Sequence, residues 1–462
     1  MNRLRYFVAL WASKSAYILL KILKRNATMF PGRVALKICP DYLAQTKKCP
    51  NVLCITGTNG KTTTTNMVAD ILAESGYKVV SNRYGSNINT GVATALTHSV
   101  NVFGKPTAEV LALEVDERYS RLILPFIKPD YLVVTNLFRD SLKRNAHPEY
   151  IFSILDTYVP ENTKLILNAD CLMTSQLLKK NEKVFFAIDK LPTDVTECVN
   201  LINDFSTCPK CDEKLVFNYL RYHHIGNAYC PNCDFKSDEA KYRLTNIDYD
   251  KQEITVSIDG EIDTYPIVNR ALYNIYNELA AISLMNEFKV DNEKVKAYIR
   301  KISVTQTRYN EQIAGGTAII RTMAKGQNSV SCSRTVDFVG NEPGVKGIMI
   351  MIDDSSDKKN SSEFSGWLYD VDFEFLNNPD TKQIIIGGPR CHDLKLRLLI
   401  AGVDEEKLSC EFEERDALKH IDTDVEKFYL LHDAYNIEYA IELEKEIAEI
   451  FGNSQKKGGT EE

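Results

Sequence analysis

The stretch CITGTNGKTTTTNMVADIL, residues 54–72, constrains this chain more than any other part of it. An apolar run leads into a loop carrying Gly57 and Gly60, then Lys61 and Thr62, then a helix pattern. Glycines let the backbone turn tightly enough for its N–H groups to face an anion. The helix N-terminus adds its positive dipole end, and Lys61 supplies a point charge for the outer phosphates of a nucleotide. Thr58, Asn59, Gly60, Lys61, Thr62 and Thr63 are therefore the expected nucleotide contacts, with the Thr62 hydroxyl a ligand for Mg²⁺. The eight-residue form of such a loop wants glycine at position 55, where this chain has Ile55, so the match is to the shorter G-T-N-G-K-T form. A strand-to-helix turn with no ligand has no need of the Lys-Thr pair.

The surrounding pattern agrees with a nucleotide fold. NVLCI (51–55), VLALEV (110–115), YLVVT (131–135) and KLILN (164–168) are short, β-branched and continuously apolar, and are separated by helix-length segments. Such strands belong to a parallel sheet covered on both faces. Glu114 ends one of them, within LALEVDE, outside the carboxyl end of a strand where acidic Mg²⁺ ligands sit in doubly wound sheets. Asp116 and Glu117 follow it, and solvated loop charges are the competing reading. The stretch 241–267 alternates like antiparallel strands with a turn at Gly260, and YNIYNELAAISLMNEF (273–288) reads as a helix. A second α/β block begins near residue 307, with GIMIMI, QIIIGG and FYLLHD as strands and YAIELEKEIAEIF as the closing helix.

Twelve cysteines are too few for a disulfide scaffold in 462 residues. Four of them, Cys208, Cys211, Cys230 and Cys233, form C-x2-C-x18-C-x2-C. Two such knuckles hold one tetrahedral Zn²⁺ with four thiolates and leave no open coordination position, so the role is structural. A redox dithiol is the alternative. A proline after the first cysteine of each pair favours knuckles, and His223 and His224 between the pairs read as surface or packing residues. The net charge of −7, from 56 basic and 63 acidic residues, offers no concentrated positive face for duplex DNA. Residues 6–23 are apolar but interrupted by Lys14 and Lys21, and fall short of the roughly 20 uninterrupted apolar residues of a spanning helix. They read as an amphipathic helix lying on the body of the protein, with a membrane-surface role as the other reading.

Taken together, these residues resemble the Mur ligase family. The TGTNGKT loop, NRYGSNINTG (82–91), LNADC (167–171) and the helix bearing Asn274 and Asn277 each match a family element, with Tyr273 in place of a histidine. Within the family the chain is similar to the MurT branch, through FPGRVALKICPDYL, LEVDE, NLFRDSLKR (136–144), the four-cysteine insertion and GGPRCHDLKLRLLIAGV (387–403). The resemblance implies an α/β protein. Residues 1–45 would be an N-terminal helix and lead-in. Residues 46–305 would form a central ATP-binding domain on a doubly wound parallel sheet, with a zinc ribbon inserted at 206–236. Residues 306–452 would form a Rossmann-like C-terminal domain, and 453–462 a disordered tail.

It also implies ATP and Mg²⁺ as cofactors, with Asn274 and Asn277 near the nucleotide and Lys61 and Glu114 in catalysis. The chemistry would be phosphorylation of a carboxylate followed by attack of an amine on the acyl phosphate. For the MurT branch the carboxylate is the α-carboxyl of D-glutamate in the lipid II stem peptide, and the amine is ammonia from a GatD-like glutaminase. No glutaminase nucleophile elbow stands in this chain, so that activity would come from a partner. About 50 residues precede the loop, which leads us to expect a lipid-linked rather than a UDP-linked acceptor, met in the cytoplasm at the inner membrane face. Toward the C-terminus the pattern departs from the family. TMAKGQN (322–328) offers Lys325 where a K-N-P-A-G-like segment is usual, and residues 353–374 keep Trp367, Asp370 and Asp372 in a longer, more polar loop. There Asp353, Asp354 and Asp357 are the candidates for the acidic group facing the reacting centre or the glutaminase. A stand-alone carboxylate–amine ligase and a non-catalytic nucleotide-binding scaffold are the alternatives.

Overall fold

A computed structural model describes the chain except for residues 1, 84–85, 141–146, 179, 302–308, 353–364 and 459–462. It divides into two compact units, the first of Met1–Phe138, His147–Val199 and Asn203–Ile302, the second of Arg139–Ala146, Asn200–Ile202 and Ser303–Glu462.

The first unit opens with helices α1 (Asn2–Ile22), α2 (Phe30–Ile38) and α3 (Tyr42–Gln45). Then β1 (Asn51–Thr56), α4 (Lys61–Glu74), β2 (Val79–Ser81), α5 (Asn89–Ser99), β3 (Val110–Glu114), α6 (Ser120–Ile127), β4 (Tyr131–Val134), α7 (Pro148–Tyr158), β5 (Lys164–Asn168), α8 (Leu172–Ser175) and β6 (Lys183–Ile188) alternate. The hairpin β7 (Val216–Tyr222) and β8 (Ile225–Tyr229) precedes β9 (Tyr242–Asp248), β10 (Glu253–Ile258) and β11 (Glu261–Pro266), and α9 (Leu272–Glu287) and α10 (Asn292–Ile299) complete the unit. Nine strands form one sheet in the order β11-β10-β9-β6-β5-β4-β1-β3-β2. Pairing is parallel from β2 to β9 and antiparallel across β9, β10 and β11. Val52, Leu53, Cys54 and Ile55 of β1 are all buried, as are Val110–Leu113 of β3, so these strands have no water-facing side and must read as unbroken apolar runs. Each Val, Leu or Ile among them contributes roughly 1.5–3 kcal/mol on burial.

α1 is fixed to this unit through one side. Tyr6, Ala9, Leu10 and Ser13 are buried, and Tyr6 stacks on Tyr42 at 5.5 Å. Lys14, which interrupts the apolar run, donates from Nζ to the carbonyls of Thr97 and Val100, 2.8 and 2.7 Å away at the C-terminus of α5. A cation there satisfies carbonyls that the helix leaves open. Among the described residues no helix is long and apolar enough to cross a membrane.

The second unit holds β12 (Tyr309–Ala314), β13 (Thr317–Met323), α11 (Ser329–Asn341), β14 (Lys346–Met351), β15 (Thr381–Gly387), α12 (Cys391–Ile400), β16 (Leu408–Glu411), β17 (Lys427–His432) and α13 (Ile437–Gly458). The sheet order is β12-β13-β17-β14-β15-β16, parallel except for the antiparallel β12 at one edge. Apolar clusters cover both faces, one containing Ile348, Ile350 and Phe373 and the other Met349, Phe428 and Phe451. α13 continues to Gly458, into the stretch expected as a disordered tail. No proline interrupts residues 452–458, so the helical hydrogen-bond ladder runs on through them.

Candidate nucleotide site

β1 delivers the loop and α4 receives it. Gly57 stands at φ +132°, and a Cβ on it would lie 2.3 Å from Thr135 Oγ1. Gly60 caps α4 at φ +86°, and its Cβ would lie 2.0 Å from Asn277 Oδ1. Both positions thus need glycine for conformation and for space. The loop is tied down from β4 and its continuation. Thr58 N–H donates to the Asn136 carbonyl at 2.9 Å and Asn59 N–H to Asn136 Oδ1 at 3.0 Å. In return Asn136 Nδ2 and Thr135 Oγ1 donate to the Asn59 carbonyl at 3.1 and 2.6 Å. Asn136 opens the NLFRDSLKR segment; its position in sequence does not disclose that it holds the loop.

Lys61 donates to the Thr58 carbonyl at 3.0 Å and forms an ion pair with Glu117 Oε2 at 2.9 Å, and its Nζ also meets the Gly57 carbonyl. Burial works against its charge, but the carboxylates of Glu117, Glu114 and Asp116 outweigh that and leave its pKa raised. Glu114, Asp116 and Glu117 are all buried, at the carboxyl end of β3, which lies beside β1 with Ile55 paired to Glu114. Three buried acidic side chains near one ammonium make the field around Lys61 strongly negative, while Asp116 Oδ1 is taken up by the N–H groups of Arg118 and Tyr119 at 3.0 and 3.2 Å. Glu114 is held in place by Asn87, whose Nδ2 donates to its Oε1 at 2.9 Å, while Asn82 bonds both its backbone groups at 2.9 Å. These asparagines belong to NRYGSNINTG. Glu117 as the partner of Lys61 was not singled out in the sequence, although it is the third acid of LEVDE.

Asn277 is buried against Gly60, and its carbonyl accepts from Thr64 Oγ1 at 3.4 Å. Asn274 lies half-buried one turn earlier, on the same side of α9. Behind them, Tyr276 donates to Asp170 Oδ2 at 2.6 Å, and Arg221 meets both Asp170 at 2.8 Å and Asp194 at 3.2 Å with about 1% exposure. This network joins the turn after β5, the β7–β8 hairpin and α9, three segments distant in sequence.

The four cysteines converge. All four Sγ atoms lie within 4.8 Å of one another, with Cys208 3.5 Å from Cys233 and Cys211 3.5 Å from Cys230. A tetrahedral ion with metal–sulfur bonds of about 2.3 Å sets its thiolates roughly 3.8 Å apart. Lys210 N–H and Asn232 N–H each point at a knuckle sulfur, 3.4 Å from Cys208 and Cys230 respectively. His223 and His224 are fully buried, and burial pushes His224 down to about 4 as it packs on Phe138 at 4.6 Å. They are packing residues. A second group, Cys391, His392 and Cys410, offers three donors in the C-terminal unit.

In that unit Asp372 is buried and accepts from Asn200 Nδ2 and Leu201 N–H, at 2.9 and 2.6 Å. Asn328, from TMAKGQN, caps α11 through Ser331 N–H at 2.8 Å. Asp353, Asp354 and Asp357 lie outside the described residues.

With this geometry in view, comparison with known proteins gives a consistent result. The Mur ligase middle domain matches residues 55–206, and the MurT ligase C-terminal domain matches residues 326–436. The chain is 29% identical over 435 residues to the lipid II isoglutaminyl synthase (glutamine-hydrolyzing) subunit MurT of Streptococcus pneumoniae, covering 93% of this chain and 94% of that one. The same subunit of Staphylococcus aureus is 26% identical over 403 residues, covering 87% and 89%. In fold the chain is similar to a pseudomurein peptide ligase type C from Methanothermus fervidus, with a TM-score of 0.67 at 18% identity over 88% of this chain and 81% of that one. MurF from Acinetobacter baumannii gives a TM-score of 0.62 at 14% identity over 90% and 80%.

Proposed function

The chain belongs to the Mur ligase family and carries the MurT-type C-terminal domain, and from that premise we propose that it activates a carboxylate of a peptidoglycan precursor for amide formation. It is an ATP-dependent ligase forming carbon–nitrogen bonds, in peptidoglycan synthesis. Our finer reading is that the acceptor is the α-carboxyl of D-glutamate in the lipid II stem peptide. Ammonia would be supplied by a GatD-like glutaminase subunit. The names of the two MurT relatives, matched over most of their length, support that reading.

The observation that carries the chemistry is Lys61, held by the loop beside three buried carboxylates. A carboxylate oxygen of the acceptor attacks the γ-phosphorus of ATP, and the bond to ADP breaks. Ammonia then attacks the acyl carbon, and phosphate leaves as the nitrogen loses a proton. Lys61 and the loop N–H groups would hold the phosphates and neutralise charge as it moves to ADP. Thr62 and Glu114 would hold Mg²⁺, which supplies further charge neutralisation at the phosphates when bound. Glu117 orients Lys61, and Asn274 and Asn277 would line the nucleotide. The four thiolates would hold a structural Zn²⁺ that fixes the knuckles around a two-stranded hairpin too small to be stable alone.

The test uses an acceptor whose carboxylate oxygens carry ¹⁸O, incubated with the chain, ATP and an ammonia source. Transfer of ¹⁸O into inorganic phosphate is expected, and its loss in Lys61→Ala. Phosphate free of label would refute the acyl-phosphate route, and an amino acid serving where ammonia fails would make the chain a stand-alone ligase.

A further inference from the structure

The buried side of α1 is accounted for, and its opposite side is not. Leu4, Val8, Trp11, Ile18 and Ile22 are 45–71% exposed, with Leu19 and Leu23 beside them. Their spacing of four, three, seven and four residues places them on one face, in a stripe about 27 Å long interrupted only by Ser15. Trp11 Nε1 donates to the Val102 carbonyl at 2.9 Å, which brings the exposed Val102 and Phe103 of the α5–β3 connection against the stripe. An apolar surface this continuous on a helix already anchored through its other side marks an interaction face.

Charge says which kind. The first 40 residues carry eight Lys and Arg and no Asp or Glu, whereas the other 422 carry 48 basic and 63 acidic residues. Arg3, Arg5, Lys21, Lys24 and Arg25 are all exposed around the stripe. A second copy of the chain docking here about a two-fold axis would set these like charges against each other. A basic rim around an apolar face with a tryptophan instead matches an anionic bilayer, whose headgroups attract the cations while the apolar face enters the acyl boundary.

We infer that α1 lies in the plane of an anionic phospholipid membrane and docks the protein there through the Leu4–Ile22 stripe. This deepens the lipid-linked reading above and rests on it for its purpose, since a surface anchor would hold the ligase where its acceptor sits. The contact itself needs no acceptor.

The experiment is co-sedimentation of the full chain with vesicles of phosphatidylcholine alone or mixed with phosphatidylglycerol, with no acceptor or ATP present. Binding to the mixed vesicles is expected, weakened about fivefold for each basic rim residue replaced by Gln. Ile18→Glu with Ile22→Glu should lower it at least tenfold, because each buried isoleucine is worth that much. Both side chains are exposed, so the fold is retained, and Ile262→Glu, at an equally exposed site on β11, should bind as the parent does. The proposal is overturned if the parent stays in the supernatant, if neutral vesicles bind it equally, or if the double variant sediments unchanged. It is also overturned if the double variant converts a dimer to a monomer. Amidation of a soluble acceptor peptide, measured on the same variants, reports separately on the functional reading and should be unchanged.

Discussion

Replacing Glu278 by Gln should stabilise the first unit, and do so increasingly as pH rises. Glu278 sits in α9 beside Asn277 and is buried. One oxygen accepts from Val268 N–H at 3.1 Å, while the other has no hydrogen-bond partner. Burial raises its pKa from 4.5 to about 8, against a smaller lowering by the Val268 bond. In the unfolded chain the carboxyl releases its proton above 4.5, but in the fold it keeps it until about 8. The folded state binds more protons throughout that window, so stability falls as pH rises, by about 1.4 kcal/mol per unit and a few kcal/mol in all. Glutamine matches the neutral acid in shape, can accept from Val268 N–H, and never ionises. The gain from Glu278→Gln should therefore be near zero at pH 4.5, grow through the window and level off above about 8. Urea unfolding of both proteins over a pH series measures it, since the difference between them cancels every shared titration. Trp11 reports on this unit once Trp367, in the other, is replaced by Phe. A difference that stays flat with pH would mean that Glu278 ionises normally in the fold, and the argument from its burial would be wrong.

Three further outcomes test the site. Gly60→Ala forces a left-handed Cβ into Asn277, costing about 1–2 kcal/mol in backbone conformation alone, so ATP affinity by calorimetry should fall tenfold or more. Adding Asn277→Ala should recover only the steric part. Arg221→Leu leaves Asp170 and Asp194 buried without their cation and should cost about 3–5 kcal/mol, read as a lowered Tm; an unchanged Tm would show that water reaches these acids. Cys208→Ser should remove about one equivalent of zinc by elemental analysis, whereas Cys410→Ser, in the three-donor group, should leave the content as it was.

Local chemistry was legible where spacing carries it. The apolar runs predicted β1, β3, β4, β5, β14, β15 and β17 because strands covered on both faces leave no polar position. β2, β12 and β16 are not marked in the sequence, and all three are sheet edges, where one side of the strand has no neighbour to demand an apolar run; β6 and β13, which lie inside their sheets, are not marked either, and Lys183 and Arg321 break their apolar pattern. The polar β12, YNEQIA, is the clearest case. The four-cysteine spacing implied a single cluster, and the sulfurs do meet, while the hairpin between the knuckles was invisible among them.

By itself, then, the sequence determined the glycine–lysine loop, its place between a strand and a helix, the parallel sheet and the cysteine quartet, since each is a pattern of residue type and spacing along the chain. Only the tertiary structure decided that Lys61 pairs with Glu117, that Asn136 holds the loop, that Arg221 joins Asp170 to Tyr276, and that one face of α1 stays uncovered. These are contacts between elements dozens of residues apart. They follow from the order β4-β1-β3, which brings the carboxyl ends of separate strands together, and from which faces the packed helices leave to the solvent.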